Sequence, residues 1–175
     1  RVVLVAAPHQ SGKDEYLMIL IILALDVDVC YLSAKWTMRR IPNPFEKSKD
    51  IDDQGIRWPL GWLQEIIFRK FGAIPVDRRG NSGQYDSVIE ELKTRDSFLL
   101  IVTPEGRFDA TRFRTSFLFI ARELNAEVMP VQIDYENEIF NILESFNIEG
   151  DTESVVKNLR LKFDGIKGKK SRFKA

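Results

Sequence analysis

Near its start the chain reads Val2-Val3-Leu4-Val5-Ala6-Ala7-Pro8-His9-Gln10-Ser11-Gly12-Lys13-Asp14, an apolar run that leads into a polar turn. The run predicts a buried strand over residues 2–7, because a strand covered on both faces is apolar without polar alternation. A nearly all-apolar helix is predicted after it, over residues 14–25. His9 therefore lies on a turn between a strand and a helix, where an exposed side chain can reach a cleft.

The alternation of strand and helix patterns continues along the chain. Apolar runs predict further strands over residues 27–32, 98–102 and 128–133, and apolar residues at helical spacing predict helices around residues 84–95, 117–124 and 155–163. Strands separated by helices favour right-handed crossovers and a parallel sheet. We expect an α/β fold with a mainly parallel sheet flanked by helices, and functional side chains at the carboxyl ends of its strands.

Length and composition indicate one folded domain over residues 1–175, with 44% hydrophobic residues and a formal net charge of zero. The balanced charge gives no general attraction to nucleic acid, so we expect no nucleic-acid partner. Cys30 is the single cysteine, and we predict that its thiol is buried in the core. The longest apolar run has ten residues, against the ~20 that cross a bilayer. Neither a spanning segment nor a signal peptide is therefore predicted.

Two stretches stand apart from the strand and helix pattern. Residues 36–56 contain Pro42, Pro44 and Gly55 among mixed charges, which predicts a long loop inserted between elements. Residues 165–175 form a basic tail.

The pairing of His9 with Asp14 has a chemical interpretation. Five residues of continuous helix would place the two side chains about 140° apart, so they meet only if a turn near Gly12 folds His9 back. A carboxylate that holds one imidazole nitrogen protonated leaves the other as a general base. The plainer alternative is a turn histidine beside an acid that is favoured by the helix dipole.

A phosphate-binding loop competes for the same residues. Residues 7–14 nearly match G-x-x-x-x-G-K-[ST] between a strand and a helix. However, Ala7 replaces the first glycine, and Asp14 replaces the hydroxyl that binds magnesium and brings a carboxylate where phosphate would lie. Nucleotide binding is therefore the minority interpretation.

Four motifs in order resemble the 1-acylglycerol-3-phosphate (lysophospholipid) acyltransferases over most of the chain. The first is His9-x-x-x-x-Asp14 after a strand, and the second is Gly72-Ala73-Ile74-Pro75-Val76-Asp77-Arg78. The third is Pro104-Glu105-Gly106, and the fourth is Val128-Met129-Pro130-Val131.

This resemblance implies a glycerolipid acyltransferase-like fold and an O-acyltransferase of phospholipid biosynthesis. The acyl donor would be acyl-CoA or acyl carrier protein, and the acceptor would be the hydroxyl of lysophosphatidic acid, of glycerol-3-phosphate or of another lysophospholipid. The resemblance makes His9 the base and Asp14 the group that orients it. It assigns Arg78, Glu105, Gly106 and Arg107 to the acceptor-phosphate site, with Pro130 shaping the pocket after its strand. No metal and no bound cofactor are expected.

The third motif departs from the family pattern. The family usually reads Glu-Gly-Thr-Arg, whereas this chain reads Glu105-Gly106-Arg107-Phe108. Either Arg107 serves as the phosphate ligand, or the local register differs and Arg112 or Arg114 reaches the site.

A lipid acceptor implies contact with a membrane surface, so we expect a peripheral protein on the cytoplasmic side of a membrane. Tryptophan beside basic residues suits the headgroup region. Two clusters have this character, and the basic tail would add attraction to an anionic leaflet. The clusters consist of Trp36, Met38, Arg39, Arg40 and Ile41, and of Trp58, Leu60, Trp62, Ile66, Ile67, Phe68, Arg69 and Lys70. The alternative for the second cluster is an amphipathic helix packed on its own core.

Overall fold

The computed structural model of the chain describes residues 1–11, 14, 28–41, 56–76, 85–106 and 112–175. It divides into two compact units, Arg1–Asp28 with Asp96–Ala175, and Val29–Arg95. One domain over residues 1–175 stays a prediction.

The strands of the first unit are β1 (Val2–Ala7), β6 (Leu99–Val102), β7 (Glu127–Asp134) and β8 (Ile139–Ile142), and those of the second are β2 (Val29–Ala34), β3 (Arg40–Ile41), β4 (Ile56–Arg57) and β5 (Ala73–Val76). The helices are α1 (Gly61–Lys70) and α2 (Asp86–Lys93) in the second unit, and α3 (Ser116–Glu123) and α4 (Thr152–Phe163) in the first. Of the helix predicted over residues 14–25, only Asp14 falls within the described residues.

In the first unit β1 lies between two parallel neighbours. Val2 is paired with Leu99 of β6 on one side and with Glu127 of β7 on the other, and β8 runs antiparallel along β7. Val3 and Val5 are fully buried, as continuous apolar sequence predicts for a strand covered on both faces. Pro130 lies inside β7, where its carbonyl accepts the Leu143 N–H at 2.9 Å. This agrees with the strand predicted over residues 128–133, and the part of Pro130 in shaping a pocket stays a prediction.

Helices α3 and α4 cover this sheet with the faces that their spacing predicts. The helix α3 contacts β1 and the helix α4 contacts β7. Their apolar residues are buried: Phe117, Leu118, Ile120 and Ala121 on α3, and Val155, Leu159 and Phe163 on α4. Residues 165–175 fold back onto this unit, since Phe173 is buried against the rings of Phe113 and Phe163.

The second unit pairs β2 and β5 in parallel, with Tyr31 opposite Ala73. The strand β2 ends at Ala34, two residues beyond the predicted end, and Cys30 is buried as predicted. Helix α2 buries Val88, Ile89 and Leu92, as its spacing predicts. The pairs of β1 with β6, of β1 with β7 and of β2 with β5 are all parallel, which confirms the α/β fold class with a mainly parallel sheet flanked by helices.

The described parts of the expected loop over residues 36–56 contain short elements of regular secondary structure. Lys35–Met38 forms a short 3₁₀ helix, and β3 pairs with β4 in an antiparallel ladder. Two-residue strands are too short for an alternation that sequence can reveal, which is why the loop prediction is wrong there. Residues 42–55 lie outside the described residues. Met38 is buried and therefore cannot belong to a surface cluster.

The turn between α1 and β5 depends on Gly72. Its φ is +82°, and a side-chain carbon there would lie 2.2 Å from the Val29 carbonyl oxygen. Gly150 has the same φ of +82°, with nothing within 4 Å of the corresponding position.

These two glycines make a matched pair for a stability test. Gly150→Ala should lower the free energy of unfolding by about 1 kcal/mol, the cost of a left-handed backbone alone. Gly72→Ala should cost more than about 3 kcal/mol, because the added carbon also displaces the backbone of β2. Urea unfolding of the two variants measures the difference, and equal losses would contradict the close contact.

Candidate functional site

Three adjacent strands of the first unit each place one polar side chain at the same edge of the sheet; two of these side chains are buried and one is half-buried. His9 follows β1, Glu105 follows β6, and Tyr135 follows β7. The three strands are parallel neighbours, so their carboxyl ends meet although these residues are far apart in sequence. The sequence predicted this edge as the location of the functional side chains.

His9 and Asp14 meet through a tight turn. The Asp14 N–H donates to the Ser11 carbonyl at 3.0 Å, and His9 Nδ1 lies 3.2 Å from Asp14 Oδ2. With Asp14 ionised, this contact places the proton of the neutral imidazole on Nδ1 and the lone pair on Nε2. The predicted folding back of His9 over Asp14 is therefore observed.

The Asp14 carboxylate is fully buried and accepts several hydrogen bonds. Besides His9, its Oδ2 accepts the backbone N–H of Gln10 at 2.9 Å and of Ser11 at 3.0 Å, and its Oδ1 accepts the hydroxyl of Tyr135. Burial by itself raises the pKa of Asp14, but these donors outweigh it and hold the pKa below its ordinary value. Asp14 is therefore an anion at neutral pH.

Sequence reasoning missed how Asp14 is held, although a signal for it is present. Ser11-x-x-Asp14 has the spacing of a capping box, in which an acid reaches back to the backbone N–H three residues earlier. That spacing predicts the Ser11 hydrogen bond directly.

The expectation of an exposed turn histidine is wrong, because only 6% of the His9 surface is exposed. The loop is covered by a turn of the C-terminal segment. Gln10 Oε1 accepts the backbone N–H groups of Lys170 and Ser171 at 2.8 and 2.9 Å. Gly168 permits this approach, since a side-chain carbon there would lie 2.6 Å from Gln10 Oε1. The basic segment predicted as a tail thus packs against the His9 loop.

Tyr135 connects the same segment to Asp14. Its backbone N–H donates to the Lys167 carbonyl at 2.8 Å, while its hydroxyl donates to Asp14. Burial first, and then the Asp14 carboxylate, raise the pKa of Tyr135 to about 12, so the hydroxyl keeps its proton. Nothing in the sequence pattern marks Tyr135, because its contact with Asp14 spans more than a hundred residues.

Glu105 approaches the His9 loop from the other side. It is buried, and both carboxylate oxygens accept the His9 backbone N–H, at 3.1 and 3.2 Å. Burial is the main cause that raises the pKa of Glu105 to about 7, and the negative charge of Asp14 adds to it. Its contact with His9 makes Glu105 a support of the loop, whereas its part in an acceptor-phosphate site stays a prediction.

The turn after β6 also positions an arginine. Gly106 has a φ of +65°, and a side-chain carbon there would lie 2.9 Å from Arg114 Nε. The Arg114 backbone N–H donates to the Pro104 carbonyl at 2.7 Å, which fixes the arginine beside this turn. Arg78 and Arg107 lie outside the described residues. Of the two described arginines considered for the phosphate, Arg112 and Arg114, it is Arg114 that lies against Gly106.

No group of three or more His, Cys, Asp and Glu side chains in the described ranges could hold a metal ion. Among the helices that the structure describes, none has the length and hydropathy that crossing a membrane requires.

Residues 57–134 match the Acyltransferase family model. The match includes residues 72–78, Glu105, Gly106 and residues 128–131, whereas His9 and Asp14 precede it. It supports acyl transfer as the class of chemistry and specifies neither acceptor nor donor. No curated protein and no solved structure matches the chain significantly.

The raised pKa of Glu105 predicts a pH dependence of stability. Between the ordinary value of 4.5 and about 7, folded Glu105 keeps a proton that the unfolded chain releases. Its contribution to the free energy of unfolding therefore falls by about 3 kcal/mol as the pH rises through this window. Glu105→Gln still accepts the His9 N–H but does not titrate, so its stability should not show this fall.

Urea unfolding of the wild type and of Glu105→Gln between pH 4.5 and 8 measures the difference between the two. Glu144→Gln, at an exposed glutamate, is the control for removing a charge. Curves for wild type and Glu105→Gln that stay parallel over the whole window would contradict a raised pKa at Glu105.

Proposed function

We propose that the chain is an O-acyltransferase of phospholipid biosynthesis. It transfers a fatty acyl group from acyl-CoA or acyl carrier protein to the free hydroxyl of 1-acylglycerol-3-phosphate. The observation that carries the proposal is the contact of His9 Nδ1 with the buried Asp14 carboxylate. It is supported by the Acyltransferase match over residues 57–134.

The proposed mechanism is direct transfer. His9 Nε2 takes the proton of the acceptor hydroxyl as its oxygen attacks the thioester carbonyl carbon. The tetrahedral intermediate then expels the thiolate, the carbon–sulfur bond breaks, and the imidazolium returns the proton to sulfur. Asp14 stabilises the imidazolium and fixes the ring orientation throughout. These steps require no metal and no bound cofactor.

Arg114 is the proposed ligand of the acceptor phosphate among the described arginines. Its guanidinium lies against Gly106 on the turn that also carries Glu105, and its side chain is exposed to solvent. A guanidinium offers paired donors that match phosphate oxygens. Arg78 and Arg107 are proposed for the same site on the strength of the motifs alone.

The contacts of Asp14 argue against the alternative of a nucleotide-binding loop. Such a loop offers its backbone N–H groups to phosphate. Here the N–H groups of Gln10 and Ser11 donate to the Asp14 carboxylate, so an anion already lies where phosphate would bind. Acyl transfer accounts for this arrangement, since it needs the carboxylate beside His9.

The catalytic pair is tested by His9→Gln and Asp14→Asn in an assay of lysophosphatidic acid with acyl-CoAs of several chain lengths. Loss of the base should lower kcat on the order of 10³-fold, and Asp14→Asn should also lower it because the imidazole loses its orienting anion. Glycerol-3-phosphate and other lysophospholipids serve as the alternative acceptors.

Because His9 is buried, each variant needs a stability control. The thermal unfolding midpoint of His9→Gln and its binding of lysophosphatidic acid should stay close to wild type. A folded His9→Gln variant with wild-type turnover on any of these acceptors would contradict the proposed mechanism.

The phosphate site is tested by Arg114→Ala, with Arg112→Ala as the matched control. Both arginines are exposed and two residues apart, but only Arg114 is shown against Gly106. Loss of a charged hydrogen bond should raise the KM for the acceptor ~10-fold in Arg114→Ala, with kcat little changed. An equal effect of both substitutions would remove Arg114 from the site.

A further inference from the structure

Helix α1 contacts its own unit through polar side chains. Gln64 Nε2 donates to the carbonyls of Thr37 and Arg40 at 2.7 and 3.1 Å, and Gln64 Oε1 accepts from Trp58 Nε1 at 2.8 Å. On the same side, Glu65 forms ion pairs with Arg39 and Arg69. Gly61 is the buried residue of this helix. The inner face of α1 therefore carries polar side chains together with the half-buried Phe68, which lies two helical turns after Gly61 on the same side.

The outer face of α1 is apolar and open to solvent. Trp62 is 56% exposed, Leu63 38%, Ile66 46% and Ile67 42%. From 3.6 residues per turn, these four lie within an arc of about 140° opposite Gly61. Leu60 and Phe71 extend the exposed apolar surface at the two ends of the helix.

The other described helices differ from α1 in what they bury. The helices α2, α3 and α4 each bury at least three apolar side chains, whereas the buried residue of α1 is Gly61. The apolar face of α1 is held in contact with water, so its burial would stabilise the protein only when a partner binds. Exposed apolar patches of this kind mark surfaces of interaction.

The charge around this helix indicates what covers it. Within residues 29–41 and 56–76 the charged side chains are Lys35, Arg39, Arg40, Arg57, Arg69 and Lys70, against Glu65 alone. Since Glu65 is already paired with Arg39 and Arg69, the described stretches on either side of the apolar face still present positive charge at the exposed Arg57 and Lys70. An anionic, apolar partner is complementary to this surface.

We propose that α1 lies flat in the headgroup region of an anionic phospholipid bilayer. Trp62, Leu63, Ile66 and Ile67 insert at the acyl-chain boundary, while Arg57 and Lys70 contact lipid phosphates. The inference draws on the proposed function for the need to reach a lipid acceptor, but its test uses no acyl transfer.

The experiment is flotation of the full chain with vesicles of phosphatidylcholine and phosphatidylserine. Wild type should float with these vesicles, and less with phosphatidylcholine alone or at high salt. Ile66→Asp should weaken binding on the order of tenfold or more, because a charge enters the acyl boundary. The control is Leu161→Asp, at a leucine of α4 that is 57% exposed, and it should bind as wild type does.

The contribution of charge has its own matched pair. Lys70→Gln on α1 should weaken binding to the anionic vesicles several-fold, whereas Lys157→Gln, at an exposed lysine of α4, should not. Circular dichroism melts check that all four variants are folded.

Three outcomes would overturn the proposal: no flotation of the wild type, equal binding by wild type and Ile66→Asp, or equal losses in Ile66→Asp and Leu161→Asp. A wild-type dimer that Ile66→Asp makes monomeric, with vesicle binding unchanged, would assign the face to a second copy of the chain. Failure of acyl transfer is separable, since a chain that floats as expected but never transfers an acyl group refutes only the proposed function.

Discussion

The site depends on one buried carboxylate. Asp14 is fully buried, so its charge is stable only because donors from the His9 side chain, two backbone N–H groups and the Tyr135 hydroxyl surround it. These donors come from the turn after β1 and from the end of β7. Satisfying the charge therefore fixes the turn, the imidazole and the neighbouring strand together, and the loss of any one donor disturbs the others.

Glu105 is a second buried carboxylate in a different environment. Asp14 is held ionised by its donors, whereas burial raises the pKa of Glu105 to about 7 with the His9 N–H as a shared donor for both oxygens. A proton on Glu105 avoids two negative charges in contact with the His9 loop, one on Asp14 and one on Glu105. The two acids thus have different roles. Asp14 binds the imidazole ring, and Glu105 accepts the backbone N–H of the same histidine.

Sequence reasoning predicted the local parts of this arrangement better than the distant ones. The strand β1, the buried faces of α3 and α4, and the meeting of His9 with Asp14 depend on residues close in sequence. Tyr135 and the Gln10–Ser171 contact escaped prediction, because no periodicity or motif encodes pairs more than a hundred residues apart. The two-residue strands β3 and β4 escaped it because they are shorter than the pattern that would reveal them.

The strand register connects these observations. Val5 of β1 is opposite Val102 of β6 and Pro130 of β7, so Glu105, His9 and Tyr135 follow one level of the sheet by three, four and five residues. A slip of one residue in β6 would move Glu105 by about 3.3 Å and turn its strand neighbours to the opposite face. The His9 N–H would then lose its acceptor in a buried loop. Core packing that fixes the register of β1 with β6 and β7 therefore also fixes the positions of the polar side chains at the site. Buried apolar residues such as Val3 and Leu100 contribute to the site in this way.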